Sequence, residues 1–277
     1  MIIFFMWMRL GASFFNLNYL GEKVKMIDII QKDETLEDLQ LEGLKLLQKK
    51  TGFRFGMDSV LLAHFAAIRP EDHVVDFGTG TGVLPLLLIG RKKGKVFDAI
   101  EIQKEYCTMA ERTMKMNGLE DRVRIHCADA GEADNLLQQN QTDYVICNPP
   151  YGKPGSSISS PFADRSTARN QKEDTLKRFF IAAFRILKGK GKLSIVYPAP
   201  QMLYIMDLMT TCHLEPKRFQ LVYPQESKPA NLVLIEAVKD AKPTLQPMPP
   251  LIIYDENFHL TNGLKSVYHI KEQNPVQ

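Results

Sequence analysis

The chain has little cysteine, and its cysteines are not arranged to bind a metal. Cys107, Cys127, Cys147 and Cys212 lie far apart and form no C-x-x-C pair with histidines at ligand spacing. This argues against a structural zinc site, and we predict that the protein holds no metal ion. Scattered reduced thiols fit a protein of the cytoplasm, which is the location that we predict.

Long hydrophobic runs are also missing, which argues against a membrane partner, because a spanning helix needs about 20 apolar residues. The apolar start MIIFFMWM ends at Arg9. It lacks both the basic beginning and the small-residue cleavage site of a signal peptide. We therefore predict that residues 1–25 are a poorly ordered upstream extension.

Neither sign of charge is in large excess. The chain has 35 Lys and Arg against 32 Asp and Glu, a formal net charge of +3. This balance permits an anionic partner such as RNA without requiring one. With 44% hydrophobic and 24% charged residues in 277, the composition is that of a globular protein with a large core.

From residue 72, short apolar strands alternate with helices, which is typical of a parallel sheet with helices on both faces. The predicted strands are 73–78, 96–102, 123–129, 143–148, 192–197, 218–223 and 232–238. The last two strands are not separated by a helix, so one of them is predicted to be antiparallel. The fold class is therefore α/β, with a seven-stranded Rossmann-like sheet that is mostly parallel.

Other segments flank this main domain, which we assign to residues 71–240. Residues 26–70 are predicted to form a hairpin that turns at Thr51-Gly52 and a helix capped by Asp58, both packed on the core. Residues 151–172 read as a long polar loop. Residues 241–277 form a C-terminal tail without clear periodicity.

A glycine-rich turn follows the first strand of the sheet. Residues 76–82 read D-F-G-T-G-T-G, which differs from the G-x-G-x-x-G fingerprint of dinucleotide-binding proteins. Glycines allow a tight turn and a close approach of the backbone to a ligand. An acid before the first glycine suits a cation, and a sulfonium with an amino-acid tail matches it. The predicted contacts to this cofactor, S-adenosylmethionine, are Asp76, Gly78, Thr79, Gly80 and Gly82.

Carboxylates follow the second and third strands, at the sheet edge where α/β proteins bind their ligands. Glu101 is predicted to accept the ribose hydroxyls of the cofactor, and the adjacent Ile102 is included in the site. Asp129 and the backbone of Ala130 are predicted to contact an adenine edge. These residues extend the predicted cofactor site along the sheet.

The fourth strand ends in Asn148-Pro149-Pro150-Tyr151. An amino group conjugated to a ring is a poor nucleophile, because its lone pair is delocalised. The Asn148 side-chain oxygen and the Pro149 carbonyl can accept its N–H bonds and direct the lone pair at a methyl group. Two prolines stiffen the loop, and Tyr151 offers a face on which a base can stack. We predict that these four residues are catalytic and that Asn148 also borders the cofactor.

Together these motifs resemble the class I, seven-stranded amino-methyltransferases over residues 70–240. The flanking segments 36–66 and 214–237 are similar to the bacterial tRNA1(Val) (adenine37-N6)-methyltransferase family. The resemblance implies methylation of the adenine 3′ to the anticodon, and its matched positions are Asp76, Glu101, Asp129 and Asn148. Family members often carry Ala-Arg-His-Glu after the NPPY loop, whereas this chain has Ala168-Arg169-Asn170-Gln171.

Several basic or aromatic residues have two open interpretations. Lys153, Arg165 and Arg169 are candidates for phosphate contacts to RNA, although solvated loop charges are equally common. Arg54 and Phe55 precede the sheet and are candidates to cover the cofactor, although they can equally fill the hairpin.

Four other functions remain open. Protein-glutamine N5-methyltransferases usually carry a separate helical domain, but only about 50 residues separate Met26 from Asp76. Guanine-N2 rRNA methyltransferases usually carry an additional RNA-binding domain, and DNA adenine methyltransferases need a larger insert than 151–172. The intact glycine turn and NPPY motif argue against a non-catalytic binding subunit.

We predict methyl transfer from S-adenosylmethionine to N6 of an adenine in tRNA, with no metal and no covalent enzyme intermediate.

Overall fold

The chain begins, in the part that is described, with an antiparallel hairpin. The computed structural model describes residues 30–51, 54–150 and 165–268. Strands β1 (Glu34–Asp38) and β2 (Lys45–Lys49) pair with each other. The turn between them is closed by a hydrogen bond from Leu39 N to Leu44 O at 3.1 Å, and Gly43 within it has a φ of +73°. The hairpin therefore reverses between Leu39 and Leu44, earlier than predicted, and Gly52 of the predicted turn lies outside the described residues.

Helix α1 (Met57–Phe65) follows the hairpin and packs on the core. Its N-cap is Gly56, which makes no side-chain capping bond, so the prediction that Asp58 caps the helix is wrong. The helix begins at Met57, two residues earlier than it would if Asp58 were the N-cap. Asp58 lies in the first turn instead, where a carboxylate favourably faces the helix dipole.

The sheet contains the seven predicted strands. They are β3 (His73–Phe77), β4 (Val96–Glu101), β5 (Val123–Cys127), β6 (Thr142–Cys147), β7 (Leu187–Pro198), β8 (Leu214–Tyr223) and β9 (Leu232–Lys239). Their order is β5-β4-β3-β6-β7-β9-β8, and β9 is antiparallel to both of its neighbours. The α/β fold class, with a mostly parallel sheet and one antiparallel strand, is confirmed.

The C-terminal segment extends this sheet at one edge. Strands β10 (Gln246–Pro247) and β11 (Leu251–Ile252) both pair in parallel with β8, which gives nine strands among the described residues. A short helix near the described end of the chain buries Leu264 and Val267 in the core beside α1. Residues 246–267 thus cover the edge that β8 would otherwise expose.

Helices cover both faces of the sheet. In addition to α1 they are α2 (Val83–Gly90), α3 (Lys104–Met116), α4 (Ala133–Leu136), α5 (Arg165–Ile186), α6 (Met202–Thr211) and α7 (Asn262–Val267). Val74 and Phe97 point into the core shared with α1 and α2, whereas Val75 and Phe77 point into the core shared with α5. None of the helices within the described residues is both long and apolar enough to cross a membrane.

Helix α5 begins inside the segment predicted to be a loop. It starts at Arg165, so the predicted loop over 151–172 is wrong for its last eight residues. Residues 165–173 are polar and show no apolar periodicity, so the sequence signals a helix only from residue 174 onwards. Residues 151–164 lie outside the described part of the chain.

The strand order reverses at β3, which lies between β4 and β6. Helices that leave β3 and its neighbours must therefore diverge to opposite faces, and a crevice opens at the carboxyl ends of the strands. The glycine turn follows β3, Glu101 ends β4 and Asn148 follows β6. The topology thus brings the predicted motifs to one edge of the sheet.

Candidate active site

The glycine turn after β3 presents its backbone to the crevice. Gly78, Gly80 and Gly82 have φ angles of +74°, +57° and +87°. The N–H groups of Gly78 and Thr79 donate to the Ile100 carbonyl at 2.9 and 3.0 Å, which fixes the turn to β4. A Cβ atom on Gly78 or Gly80 would meet no heavy atom within 4 Å, so a ligand can approach this backbone closely. Gly82 has the opposite role, because its Cβ would lie 2.4 Å from Met114 Cε on α3.

Asp76 is a buried carboxylate without a hydrogen-bond partner. Its side chain lies in β3 with 0% exposure, and neither oxygen forms a hydrogen bond of good geometry among the described residues, although the Thr79 hydroxyl is close by. Burial raises its pKa to about 7; the nearby Thr79 hydroxyl offsets part of this rise, and the Glu101 carboxylate adds to it. The Thr79 hydroxyl is also buried without a partner. Buried unpaired groups of this kind are costly unless a ligand satisfies them, so the site fits the positively charged amino-acid end of S-adenosylmethionine.

Glu101 is oriented by two backbone donors. Its Oε2 accepts from Gly80 N at 3.0 Å and its Oε1 accepts from Gln103 N at 2.9 Å. Each carboxylate oxygen can accept a second hydrogen bond, so the group can still receive the two hydroxyls of a ribose. Ile102 lies next to it with 65% exposure, so its side chain is available to pack against an aromatic ring.

Asp129 lies two residues beyond β5 and is also held on both oxygens. Its Oδ1 accepts from Gly131 N at 2.8 Å, and its Oδ2 pairs with Arg178 of α5 at 2.9 Å. The backbone at this point is tied to β4, because Ala128 N donates to Glu101 O at 2.9 Å. Ala130 is buried directly after Asp129. The two carboxylates therefore lie on neighbouring strands at the same edge.

Asn148 lies beside the glycine turn, because Cys147 of β6 is the register partner of Phe77 of β3. Its Nδ2 donates to Ser59 Oγ of α1 at 3.0 Å. Pro149 is buried and Pro150 is exposed. The asparagine amide thus projects from the end of β6 with its nitrogen engaged by the protein.

The other predicted catalytic and RNA-contacting residues are not placed by the structure. Tyr151 and Lys153 lie outside the described residues, and Arg165 and Arg169 lie on α5 with side chains outside the described part. The roles assigned to these four residues remain predictions.

A cavity joins the glycine turn to Asn148, and the N-terminal segment supplies its other wall. It is lined by Gln48, Phe55, Ser59, Gly78, Gly80 and Asn148, among others. Phe55 N donates to Gln48 Oε1 at 3.1 Å, which anchors the end of this wall to β2. Arg54 does not belong to this lining; its guanidinium pairs with Glu37 of the hairpin.

Two residues of this wall escape sequence reasoning. Gln48 and Ser59 are polar, with 2% and 1% exposure. The available signal is weak: each lies at one end of a short apolar buried run, Gln48 after Leu46-Leu47 and Ser59 before Val60. Within the described residues, no group of three histidine, cysteine or carboxylate side chains is arranged to hold a metal ion.

Comparison with known proteins agrees with this geometry. The family model of the methyltransferase small domain matches residues 56–212. The tRNA1(Val) (adenine(37)-N6)-methyltransferase of Tolumonas auensis is 30% identical over 189 residues, covering 68% of this chain and 77% of the relative. The protein of the same name from Parabacteroides distasonis is 27% identical over 207 residues, covering 74% and 85%.

Solved structures show the same fold. A predicted O-methyltransferase from Agrobacterium tumefaciens superposes with a TM-score of 0.61 at 21% identity, covering 77% of this chain and 96% of that chain. TYW2 of P. horikoshii, in complex with MeSAdo, has a TM-score of 0.52 at 16% identity, covering 76% and 73%. The chain therefore belongs to the methyltransferase small domain family and to that of the tRNA1(Val) (adenine(37)-N6)-methyltransferases, and it is an S-adenosylmethionine-dependent N-methyltransferase, as the sequence predicts.

Proposed function

We propose that this enzyme methylates N6 of an adenine in tRNA, and specifically adenine 37 of a valine tRNA, in the cytoplasm. The observation that carries the proposal is the Asn148 amide. Ser59 accepts from its Nδ2, so its Oδ1 is the atom available to accept an N–H bond from the target. The names of the two curated relatives supply the choice of adenine and of tRNA.

The chain's own residues then have distinct tasks. Asp76, once ionised, pairs with the ligand's ammonium group, and Glu101 accepts from its ribose. Asn148 Oδ1 and the Pro149 carbonyl accept the two N–H bonds of the exocyclic amine, which turns its lone pair out of conjugation and towards the donor. The bound sulfonium supplies an activated methyl group with a neutral leaving group.

Unstacking the target base costs little in this proposal. A base in a single-stranded loop has no pairing partner to lose, so the loss of stacking is the main penalty. A pocket that reads one amine also needs no additional RNA-binding domain for the chemical step. Recognition of the surrounding tRNA falls to shape and phosphate contacts, for which Lys153, Arg165 and Arg169 are the proposed candidates.

Nucleoside mass spectrometry of tRNA from a strain lacking the gene tests the substrate. We expect loss of N6-methyladenosine from a valine tRNA and its return when the gene is restored. An unchanged tRNA profile would contradict the proposal. The same strain then decides between the remaining targets, through peptide mass spectrometry of release-factor glutamine and nucleoside analysis of guanine in ribosomal RNA.

Purified protein tests the role of Asn148. In the Asn148→Ala variant we expect turnover on unmodified valine tRNA to fall by about 100-fold or more, because the amine is no longer oriented. Calorimetry should show S-adenosylmethionine binding close to that of the wild type. Asn135→Ala on α4 is the matched control, since this asparagine is exposed and lies outside the cavity. Retained turnover in Asn148→Ala would refute the role.

A further inference from the structure

The contact between Ser59 and Asn148 joins two distant parts of the chain. Ser59 lies in the first turn of α1 with 1% exposure. Its Oγ accepts from Asn148 Nδ2 at 3.0 Å across a sequence separation of 89 residues. We propose that Ser59 is the positioning residue that sets the orientation of the Asn148 amide for methyl transfer. This inference rests on the proposed function of the Asn148 site.

The hydrogen-bond chemistry of an amide explains why a partner is needed. An asparagine side chain has an acceptor oxygen on one side and a donor nitrogen on the other. The target amine is a donor, so only Oδ1 can receive it. If the amide turned over, Nδ2 would face the amine, and two donors would oppose each other. A hydroxyl can accept from Nδ2 or donate to Oδ1, so the donor character of the target amine selects the orientation with Oδ1 towards it, and Ser59 holds that orientation by accepting from Nδ2.

Helix α1 is well placed to hold Ser59, because its far end is fixed to the same strand that carries Asn148. Directly after α1, Ala67 N donates to the Tyr144 hydroxyl of β6 at 3.2 Å. Lys93 Nζ donates to the carbonyls at this helix end, at 2.9, 3.0 and 2.6 Å from Ala63, His64 and Ala66. Thus the segment that follows α1 bonds to Tyr144 of β6, and the first turn of α1 bonds to Asn148, directly after β6.

The buried hydroxyl has no evident structural purpose apart from this contact. The neighbouring α1 residues Val60, Leu61 and Leu62 are apolar and pack in the core, so alanine at position 59 would satisfy the packing and remove a polar atom from a buried place. Burying a hydroxyl is unfavourable unless it forms hydrogen bonds. In this structure the bond it forms is to the proposed catalytic amide.

The test compares Ser59→Ala with a matched serine elsewhere. Ser194 of β7 is also buried, with 0% exposure, and its Oγ bonds to the Tyr144 hydroxyl at 2.7 Å. Both serine-to-alanine variants remove one buried hydroxyl, but only one bond reaches Asn148. The readout is the single-turnover rate of tritiated methyl transfer to unmodified tRNA, with calorimetric S-adenosylmethionine binding and thermal unfolding measured on each protein.

We expect Ser59→Ala to slow single-turnover transfer by about 10- to 100-fold, with cofactor affinity close to that of the wild type. Ser194→Ala should keep the wild-type rate and lose only stability, because the Tyr144 hydroxyl still accepts from Ala67 N and donates to Glu236 without Ser194. Ser59→Thr, which keeps the acceptor, should recover most of the rate if its melting temperature matches that of Ser59→Ala. If Ser59→Thr does not fold, the comparison of the two alanine variants still decides.

A double-mutant cycle separates positioning from a general structural effect. In an Asn148→Ala background, adding Ser59→Ala should change the residual rate by less than about twofold, because the amide that Ser59 orients is gone. A rate for Ser59→Ala equal to that of Ser194→Ala, or a full additional loss in the double variant, would overturn the inference. A wild-type protein that methylates no tRNA adenine would instead contradict the proposed function.

Discussion

The substitution Asp76→Asn should stabilise the ligand-free enzyme while it impairs cofactor binding. Asp76 is fully buried, forms no hydrogen bond of good geometry among the described residues, and has its pKa raised by burial from an ordinary 3.8 to about 7. A folded state that raises the pKa of an acid holds a proton that the unfolded chain releases. The protonated Asp76 therefore contributes its full share to the stability of the folded enzyme below about pH 4. This contribution is lost as pH rises towards 7.

The size of this effect follows from the shift. A rise of about three pKa units corresponds to roughly 4 kcal/mol between the low-pH and high-pH limits, at ~1.4 kcal/mol per unit. About 2 kcal/mol of it falls between pH 5.5 and 8. Asparagine has a similar shape and no charge to bury. The free energy of unfolding of Asp76→Asn should thus exceed that of the wild type increasingly as pH rises.

The affinity for S-adenosylmethionine should change with pH in the opposite direction to the stability. The ionised form of Asp76 binds a cation, so the affinity of the wild type for S-adenosylmethionine should rise about 20-fold between pH 5.5 and 7.5. This window stays below the range of about 7.7–8.0 in which an α-amino group loses its own proton. Asp76→Asn should bind weakly at every pH, and calorimetry measures both proteins directly.

Urea denaturation across the same pH range, without ligand, measures the stability. Asp143→Asn is the control, for which we expect the opposite change in the free energy of unfolding. Burial acts to raise the pKa of Asp143, but the Lys188 ammonium and the His73 backbone N–H hold it below the ordinary value, so this substitution should destabilise the protein near neutral pH. If Asp76→Asn is destabilising by the same amount at pH 5.5 and pH 8, Asp76 is ionised and paired in the ligand-free fold, and the reasoning fails.

Two further substitutions test how the turn and the carboxylates are held. Gly82→Ala should lower the free energy of unfolding by about 1–2 kcal/mol, because Gly82 has a φ of +87° that disfavours a side chain. Gly189→Ala is its control: the added Cβ would contact nothing within 4 Å, and equal losses in urea would contradict the argument. Arg178→Ala should weaken S-adenosylmethionine binding by less than about fivefold, since its ion pair with Asp129 is partly exposed. Arg185 lies on the same helix as Arg178 and pairs with Asp134 of α4, so Arg185→Ala should leave the affinity for S-adenosylmethionine unchanged. Equal effects of the two variants on this affinity would refute a role for Arg178.

The sheet could be predicted from sequence because its strands are continuous apolar runs with glycine and proline between them. Such runs predict a buried parallel strand wherever they lie in the chain. Strands β10 and β11 carry no such signal, because each has two residues and they lie in a proline-rich segment. Their pairing with β8 depends on the exposed edge of the finished sheet, which no local pattern specifies.

The hairpin turn and the start of α5 were misplaced for a related reason. Thr51-Gly52 is a strong local turn signal, but the positive φ of Gln40, Glu42 and Gly43 reverses the chain earlier. The first turns of α5 are polar and lack an apolar stripe, so periodicity cannot detect them. In both places the local signal was weaker than the tertiary context.

The two sides of the candidate site also differ in how well local sequence predicts them. The cofactor side is built by backbone turns and carboxylates at the ends of adjacent strands, where each residue's role follows from its position after a strand, and Asp76, Glu101 and Asp129 can be named from sequence. The side proposed to face the target depends on α1 and the hairpin, which line the cavity together with Asn148. Ser59 could not be found by spacing, since its proposed role depends on a contact with Asn148, 89 residues away in the chain. The proposed cofactor side is thus encoded locally, whereas the side that we propose orients the reacting nitrogen depends on the packing of α1 beside Asn148, directly after β6.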